Sequence, residues 1–171
     1  MFSQTGSEIY NVSKKLNRSP DLIITNNKNL ESINPNLLNE YFDRLVVVQS
    51  KPSIDEYNEL LFKGAVTTMH GWLRVIPGEI CEQHEIYNLH PAPLTKYPHL
   101  KGKDPQKRTF IEQLKYGGNT IHRCTAELDS GEIILEEEFI LSHHTQEGIF
   151  KEIHSHAQEL WVKVLSNKFG I

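Results

Sequence analysis

The residues best suited to chemistry lie in Ile86-Tyr87-Asn88-Leu89-His90-Pro91-Ala92-Pro93-Leu94, followed by Thr95-Lys96-Tyr97-Pro98. If Glu85 to Leu89 is a strand, Asn88 and His90 stand two residues apart at its C-terminal end and face one side. Open α/β sheets bind ligands at that edge. An Asn amide is a fixed donor for a developing oxyanion, and a His beside it donates or accepts a proton near neutral pH. Acyl transfer to an amine requires such a pair, although an isolated Asn and His serve more often as turn and cap residues. Support comes about forty residues later, in Gly118-Asn119-Thr120-Ile121-His122-Arg123-Cys124-Thr125-Ala126-Glu127-Leu128-Asp129-Ser130-Gly131-Glu132-Ile133-Ile134-Leu135. This stretch reads as strand, acidic loop and strand. Asp129-Ser130-Gly131 is a hairpin turn on one reading; on the other, Asp129 is a carboxylate that holds His90 protonated and relays protons through water.

The elements that must position these residues follow from periodicity. Short apolar β-branched runs alternate with helical segments, which is the pattern of an α/β layer fold with a largely parallel sheet. Strands are expected at Asp21 to Thr25, Arg44 to Val48, Gly64 to Thr68, Glu85 to Leu89, Asn119 to Ala126 and Glu132 to Leu141, the first four as interior strands. Helices are expected at Ser7 to Leu16, Pro35 to Phe42, Ile54 to Phe62, Pro105 to Lys115 and Thr145 to Phe169. In the last, Ile149, Ile153, Ala157, Leu160, Trp161, Val164 and Leu165 fall on one face, so it is expected to pack across the sheet. The segment Ser3-Gln4-Thr5-Gly6-Ser7-Glu8 looks like a turn from a first strand into a first helix, yet only Met1 and Phe2 precede it. That strand is expected to be truncated, or the natural chain to begin further upstream.

The chain has 171 residues, 38% hydrophobic and 23% charged, as for one globular domain over 1–171. The formal charge of -4 disfavours nucleic acid and anionic membrane as partners. Cys81 and Cys124 form no CxxC pair, and no secretory segment opens the chain, so a reducing cytoplasm is the expected location. No apolar run is long enough for a membrane span. His84, His99, His143, His144, His154 and His156 lack metal-ligand spacing and read as surface or partly buried residues, and no metal is expected. His122 is expected to support the site or to pack in its strand, and His70 to line the cleft.

Several ordered motifs resemble the folate-dependent formyltransferases, and within them the glycinamide ribonucleotide branch. They are Asn88-Leu89-His90-Pro91, Lys96-Tyr97-Pro98, the G-x-x-x-H of Gly118 to His122, and Leu128-Asp129-x-Gly131-x-Ile133-Ile134-Leu135. Gly71-Trp72-Leu73-Arg74-Val75-Ile76 is similar to a further segment of that family, and the likeness runs from about Phe2 to the final helix. The resemblance implies a Rossmann-like domain that uses 10-formyltetrahydrofolate and a small-molecule amine. It implies that Asn88, His90 and Asp129 are catalytic, that Leu73, Arg74, Val75, Ile76, Thr125 and Glu127 hold the folate, and that Thr5, Gly6, Ser7 and Glu8 hold the amine substrate. Leu73, Val75 and Ile76 are otherwise expected as buried packing, so their part would be backbone presentation.

The departures concern the amine. Gln4 replaces a Gly and Glu8 an Asn in the loop that, in this branch, cradles a substrate phosphate at a helix N-terminus. Thr5 and Glu8 have capping-box spacing, so Glu8 is expected to fold back and place a carboxylate where the phosphate sits. Ile54 and Ala157 stand where the branch carries an Arg and a Glu. Lys101-Gly102-Lys103-Asp104-Pro105 is closer to the methionyl-tRNA and nucleotide-sugar branches, while the absence of sequence after Ile171 counts against the former. Thr95 replaces a Pro, which would loosen its turn. Lys96, Lys101, Lys103, Lys107 and Arg108 form a basic cluster suited to an anionic substrate or folate tail, or simply a solvated loop. The expected activity is formylation of glycinamide ribonucleotide. The alternatives are formylation of another amine such as an amino sugar nucleotide, hydrolysis of the formyl folate, or non-catalytic folate or nucleotide binding.

Overall fold

The computed structural model describes Met1 to Ile171. Its strands are β1 (Phe2–Ser3), β2 (Ile23–Thr25), β3 (Leu45–Val47), β4 (Val66–His70), β5 (Glu85–His90), β6 (Tyr116–Arg123) and β7 (Ile133–Ile140). Its helices are α1 (Ser7–Leu16), α2 (Pro35–Tyr41), α3 (Ile54–Leu60), α4 (Gly78–Gln83), α5 (Pro105–Ile111) and α6 (Gln146–Phe169). The strands form one sheet in the order β3-β2-β1-β4-β5-β6-β7. Pairings β1 with β2, β1 with β4, β2 with β3 and β4 with β5 are parallel, and β6 with β7 is antiparallel. This is a Rossmann-like, mostly parallel α/β sheet. Strand order reverses between β1 and β4, which makes that gap the topological switch point where such sheets bind ligands.

The chain divides into two compact units, Met1–Asn88 with Cys124–Ala126, and Leu89–Arg123 with Glu127–Ile171. In the first, alternation along β2 sends Ile23 and Ile24 to opposite faces, and each joins its own core. Ile24 packs with Phe2, Tyr57, Trp72, Ile80 and Ile86, and Ile23 with Ile9, Leu37 and Tyr41. The truncated strand β1 is held by these contacts rather than by length. Phe2 is fully buried, with its ring 5.0 Å from that of Trp72 and 5.9 Å from that of Tyr57. Helix α3 starts with a complete capping box, in which Ser53 accepts from the Glu56 N–H and the Glu56 side chain accepts from the Ser53 N–H.

In the second unit the apolar stripe of α6 is buried as its spacing requires, and the helix packs on β6 and β7. Thr145 caps its start and Gly170, in the left-handed region, its end. Strand β6 runs close to its neighbours because Gly118 has no side chain. A Cβ there would lie 2.3 Å from the Glu137 carbonyl oxygen and 2.9 Å from Pro93.

Several expectations are corrected. Arg44 to Val48 is not an interior strand: β3 forms an edge of the sheet, and Val47 is exposed. The strand expected at Gly64 to Thr68 forms two residues later, because Gly64 takes a φ of 81° that belongs to a turn. Strand β6 begins at Tyr116, and helix α5 stops at Ile111, followed by Gln113 in the left-handed region. Helix α4 was not expected; six residues are too few to show a helical period. His84, expected at the surface or partly buried, is buried at the C-terminal end of α4.

Candidate active site

Strand β5 carries Asn88 and His90 at its C-terminal end, two residues apart and therefore on one face. His90 is 5% exposed, and both of its ring nitrogens face acceptors. Nε2–H donates to the Leu100 carbonyl at 2.8 Å, and Nδ1 lies 3.2 Å from Asp129 Oδ2. A proton on each nitrogen satisfies both contacts. Asp129 is 8% exposed and sits in the left-handed region with a φ of 51°, a backbone state uncommon outside glycine and frequent at functional sites. It also accepts the Gly102 N–H at 2.9 Å on Oδ2, and His122 Nε2 lies 3.5 Å from Oδ1. His122 Nδ1 in turn lies 3.1 Å from the carbonyl of Arg123, so its ring is fixed from both sides.

Burial pushes the Asp129 carboxyl up. The hydrogen bonds from His122 and His90, the His90 charge and the Gly102 N–H outweigh it and hold the group well below the ordinary carboxylate range. Asp129 is therefore an anion throughout the physiological range, placed to orient His90. The loop between β6 and β7 covers residues 124–132, so Asp129-Ser130-Gly131 is part of a longer loop rather than a tight hairpin turn. The segment after β5 is tied down as well: Thr120 Oγ1 accepts the Leu94 N–H at 3.1 Å, and the Thr95 N–H donates to Glu136 at 3.1 Å. A proline at position 95 would have no such N–H, so the Thr95 substitution is compensated rather than loosening the turn.

The first loop departs from its expected geometry. The N-cap of α1 is Gly6, with a φ of 74° and no side-chain cap, so Thr5 and Glu8 do not form a capping box. Glu8 lies in the first turn of α1, and its carboxylate turns to His70, whose Nδ1 is 3.1 Å away and whose Nε2 is 2.8 Å from Thr68 Oγ1. A buried imidazole is the stronger partner for that carboxylate than a solvated backbone N–H. Ser7 accepts from the Asn34 side-chain amide at 3.2 Å, and the Thr5 carbonyl accepts the Asn34 N–H at 2.8 Å.

In the segment after β4, Leu73 and Val75 are 72% and 71% exposed, contrary to the buried packing expected of them, and Ile76 is buried. The segment is irregular backbone, so of its apolar residues Trp72 and Ile76 reach the core while Leu73 and Val75 turn outward. Arg74 donates to the Ser50 carbonyl at 2.7 Å. Thr125 and Glu127 lie in the loop after β6 and are exposed. Of the basic cluster, Lys96 pairs with Glu138, Lys101 donates to Ser130, and Arg108 donates to backbone carbonyls. No group of three or more His, Cys, Asp or Glu is placed to hold a metal ion, and no helix is long and apolar enough to cross a membrane.

Known proteins share both the sequence and the fold. A curated phosphoribosylglycinamide formyltransferase from Dictyostelium discoideum is 31% identical over 110 residues, 57% of this chain and 53% of that protein. A methionyl-tRNA formyltransferase from Rickettsia canadensis is 32% identical over 95 residues, 54% of this chain and 29% of that protein. The match thus spans about half the length of the first relative and less than a third of the second. The solved phosphoribosylglycinamide formyltransferase from Campylobacter jejuni superposes with a TM-score of 0.82 at 22% identity, covering 98% of this chain and 94% of the other, which shows a common fold. A family model described as formyl transferase matches residues 20–165, and the chain belongs to that family.

Proposed function

We propose that the chain transfers a formyl group from 10-formyltetrahydrofolate to the primary amine of a small molecule, with glycinamide ribonucleotide as the first candidate. The observation that carries this reading is the buried His90 held against ionised Asp129, two residues after Asn88 on one strand face. In the proposed reaction the amine nitrogen attacks the formyl carbon, and the carbonyl electrons move onto oxygen. Asn88 and protonated His90 stabilise that oxyanion. The intermediate then collapses with cleavage of the bond to N10 of the folate, and the proton lost by the amine reaches N10 through His90 and water, with anionic Asp129 assisting by holding His90. Leu73 to Ile76, Thr125 and Glu127 are assigned to the folate. Two apolar side chains left in solvent at Leu73 and Val75 suit a planar aromatic ring system.

A second reading concerns the amine. Glu8 puts a carboxylate in the first turn of α1, where a substrate phosphate would otherwise meet backbone N–H groups. Like charges there favour an unphosphorylated amine. Mass spectrometry of the products from 10-formyltetrahydrofolate with glycinamide ribonucleotide, its dephosphorylated nucleoside and an amino sugar nucleotide in parallel tests both. A formylated amine in any tube supports the transferase reading, and the most productive tube names the substrate. Release of formate with no formylated product would replace transfer by hydrolysis. If the second reading holds, Glu8→Asn lowers KM for the phosphorylated amine; an unchanged KM would remove Glu8 from substrate choice.

A further inference from the structure

The two partners that fix His90 and Asp129 from outside are both backbone groups of one short segment, residues 99–102. The Leu100 carbonyl takes the His90 Nε2 proton, and the Gly102 N–H reaches Asp129. The side chain of Leu100 is fully buried with Ala92 and Leu94, which sets where the segment lies. It does not set which way the peptide planes point. A 3-10 turn over Pro98–Leu100, in which the Leu100 N–H donates to the Tyr97 carbonyl at 3.0 Å, orients the N–H groups, and Arg108 on α5 holds the carbonyls: its Nη2 donates to the His99 carbonyl and its Nη1 to the Lys101 carbonyl at 3.3 Å. With the carbonyls on either side turned to the guanidinium, the one between them is left for His90. Gly102, with a φ of 84°, then turns the chain so that its own N–H meets Asp129.

The guanidinium is itself braced. Glu112 lies 3.8 Å from Arg108 Nε and 2.8 Å from His99 Nε2, so one carboxylate holds both the cation and the first residue of the segment. Lys101 Nζ donates to Ser130 Oγ at 2.8 Å, which ties the segment to the residue after Asp129. A planar fork that donates to two carbonyls at once is a task for arginine, and a lysine point charge cannot hold both in fixed directions.

We propose that Arg108 is a positioning residue for the reaction: through the carbonyls of His99 and Lys101 it orients the 99–102 segment that holds His90 and Asp129 in register. The role rests on the assignment of His90 as the group that handles the proton. In this resting arrangement both His90 nitrogens are engaged, so chemistry requires the Leu100 carbonyl to release Nε2 and take it back once per cycle. Arg108 keeps that carbonyl in place to do so.

The test combines a structural readout with kinetics. In the 15N-labelled whole chain, exchange of the His90 Nε2 proton with water is measured for wild type, Arg108→Ala and Arg108→Lys. Exchange in Arg108→Ala is expected to be at least about tenfold faster, with Arg108→Lys between the two, because the hydrogen bond to Leu100 opens more often. In the formyl transfer assay kcat is expected to fall about tenfold, with KM for the formyl donor within about twofold, the mark of lost alignment rather than lost binding. Unchanged protection of the His90 proton in a folded Arg108→Ala chain overturns the inference, as does an effect on KM alone. Should Arg108→Ala fail to fold, Arg108→Lys decides by the same two readouts. Faster exchange in a chain whose wild type transfers no formyl group supports the positioning role while rejecting the proposed activity, so the two failures are distinguishable.

Discussion

A carboxylate that meets two imidazoles and a backbone N–H inside the protein has few reasons to be there other than to hold them. Truncation of Asn88 or His90 is expected to be costly to turnover, and loss of the buried His90 also costs stability because it leaves Asp129 and the Leu100 carbonyl each short of a partner. Asn88→Ala and His90→Ala are expected to lower kcat by roughly a hundredfold or more in the formyl transfer assay, and near-wild-type rates in both would exclude them from the chemistry. The Asp129 carboxyl also sets an acid dependence. Its folded-state pKa lies below the ordinary value of 3.8. Ionised Asp129 thus stabilises the fold above that value, and the contribution is lost as pH falls below it. Urea unfolding of wild type and Asp129→Asn is expected to show a stability gap at neutral pH that narrows on acidification to about pH 3; a gap that widens would reverse the sign. Asn88 and His90 were legible from residue type and spacing on one strand. The pairing with Asp129, about forty residues away, was one of two readings of that stretch, the other a hairpin turn, since spacing across a loop does not fix contact. The Leu100 carbonyl and Gly102 N–H were not legible, because every residue carries those groups and only the folded path chooses among them.

The elements around the site are tied together by small devices that substitution can isolate. Removing the Ser53 hydroxyl from its capping box is expected to cost about 1 kcal/mol, read as a lower urea midpoint with unchanged slope. Gly118→Ala forces a Cβ against the Glu137 carbonyl. It is expected to cost at least about 1–3 kcal/mol, and a neutral result would show that β6 and β7 separate more freely than their packing implies. Helix α6 was read correctly from sequence because its stripe is long enough for the period to be unmistakable. Strand β3 was misplaced because an apolar run of three residues looks the same at an edge as at the centre. Leu73 and Val75 were misread for a related reason: residue type proposes burial, but irregular backbone decides which side chains turn inward.

For the molecule as a whole, a largely parallel sheet was legible from the alternation of strand and helix, whereas the strand order that puts a switch point between β1 and β4 was not. The tolerance of a two-residue strand beside that switch point was not. Its anchoring depends on one aromatic side chain, so Phe2→Ala is expected to destabilise the chain by about 3–5 kcal/mol, visible as a lower Tm. Family membership, the buried His90 with Asp129, and the exposed apolar segment after β4 support one account, amine-dependent formyl transfer from a folate. The most direct test follows loss of the formyl group from 10-formyltetrahydrofolate by the purified chain, with and without an acceptor amine, for wild type and His90→Ala. The account predicts turnover in wild type that requires the amine and is nearly abolished in His90→Ala. Equal turnover with and without every amine, or equal turnover in the two proteins, would contradict it.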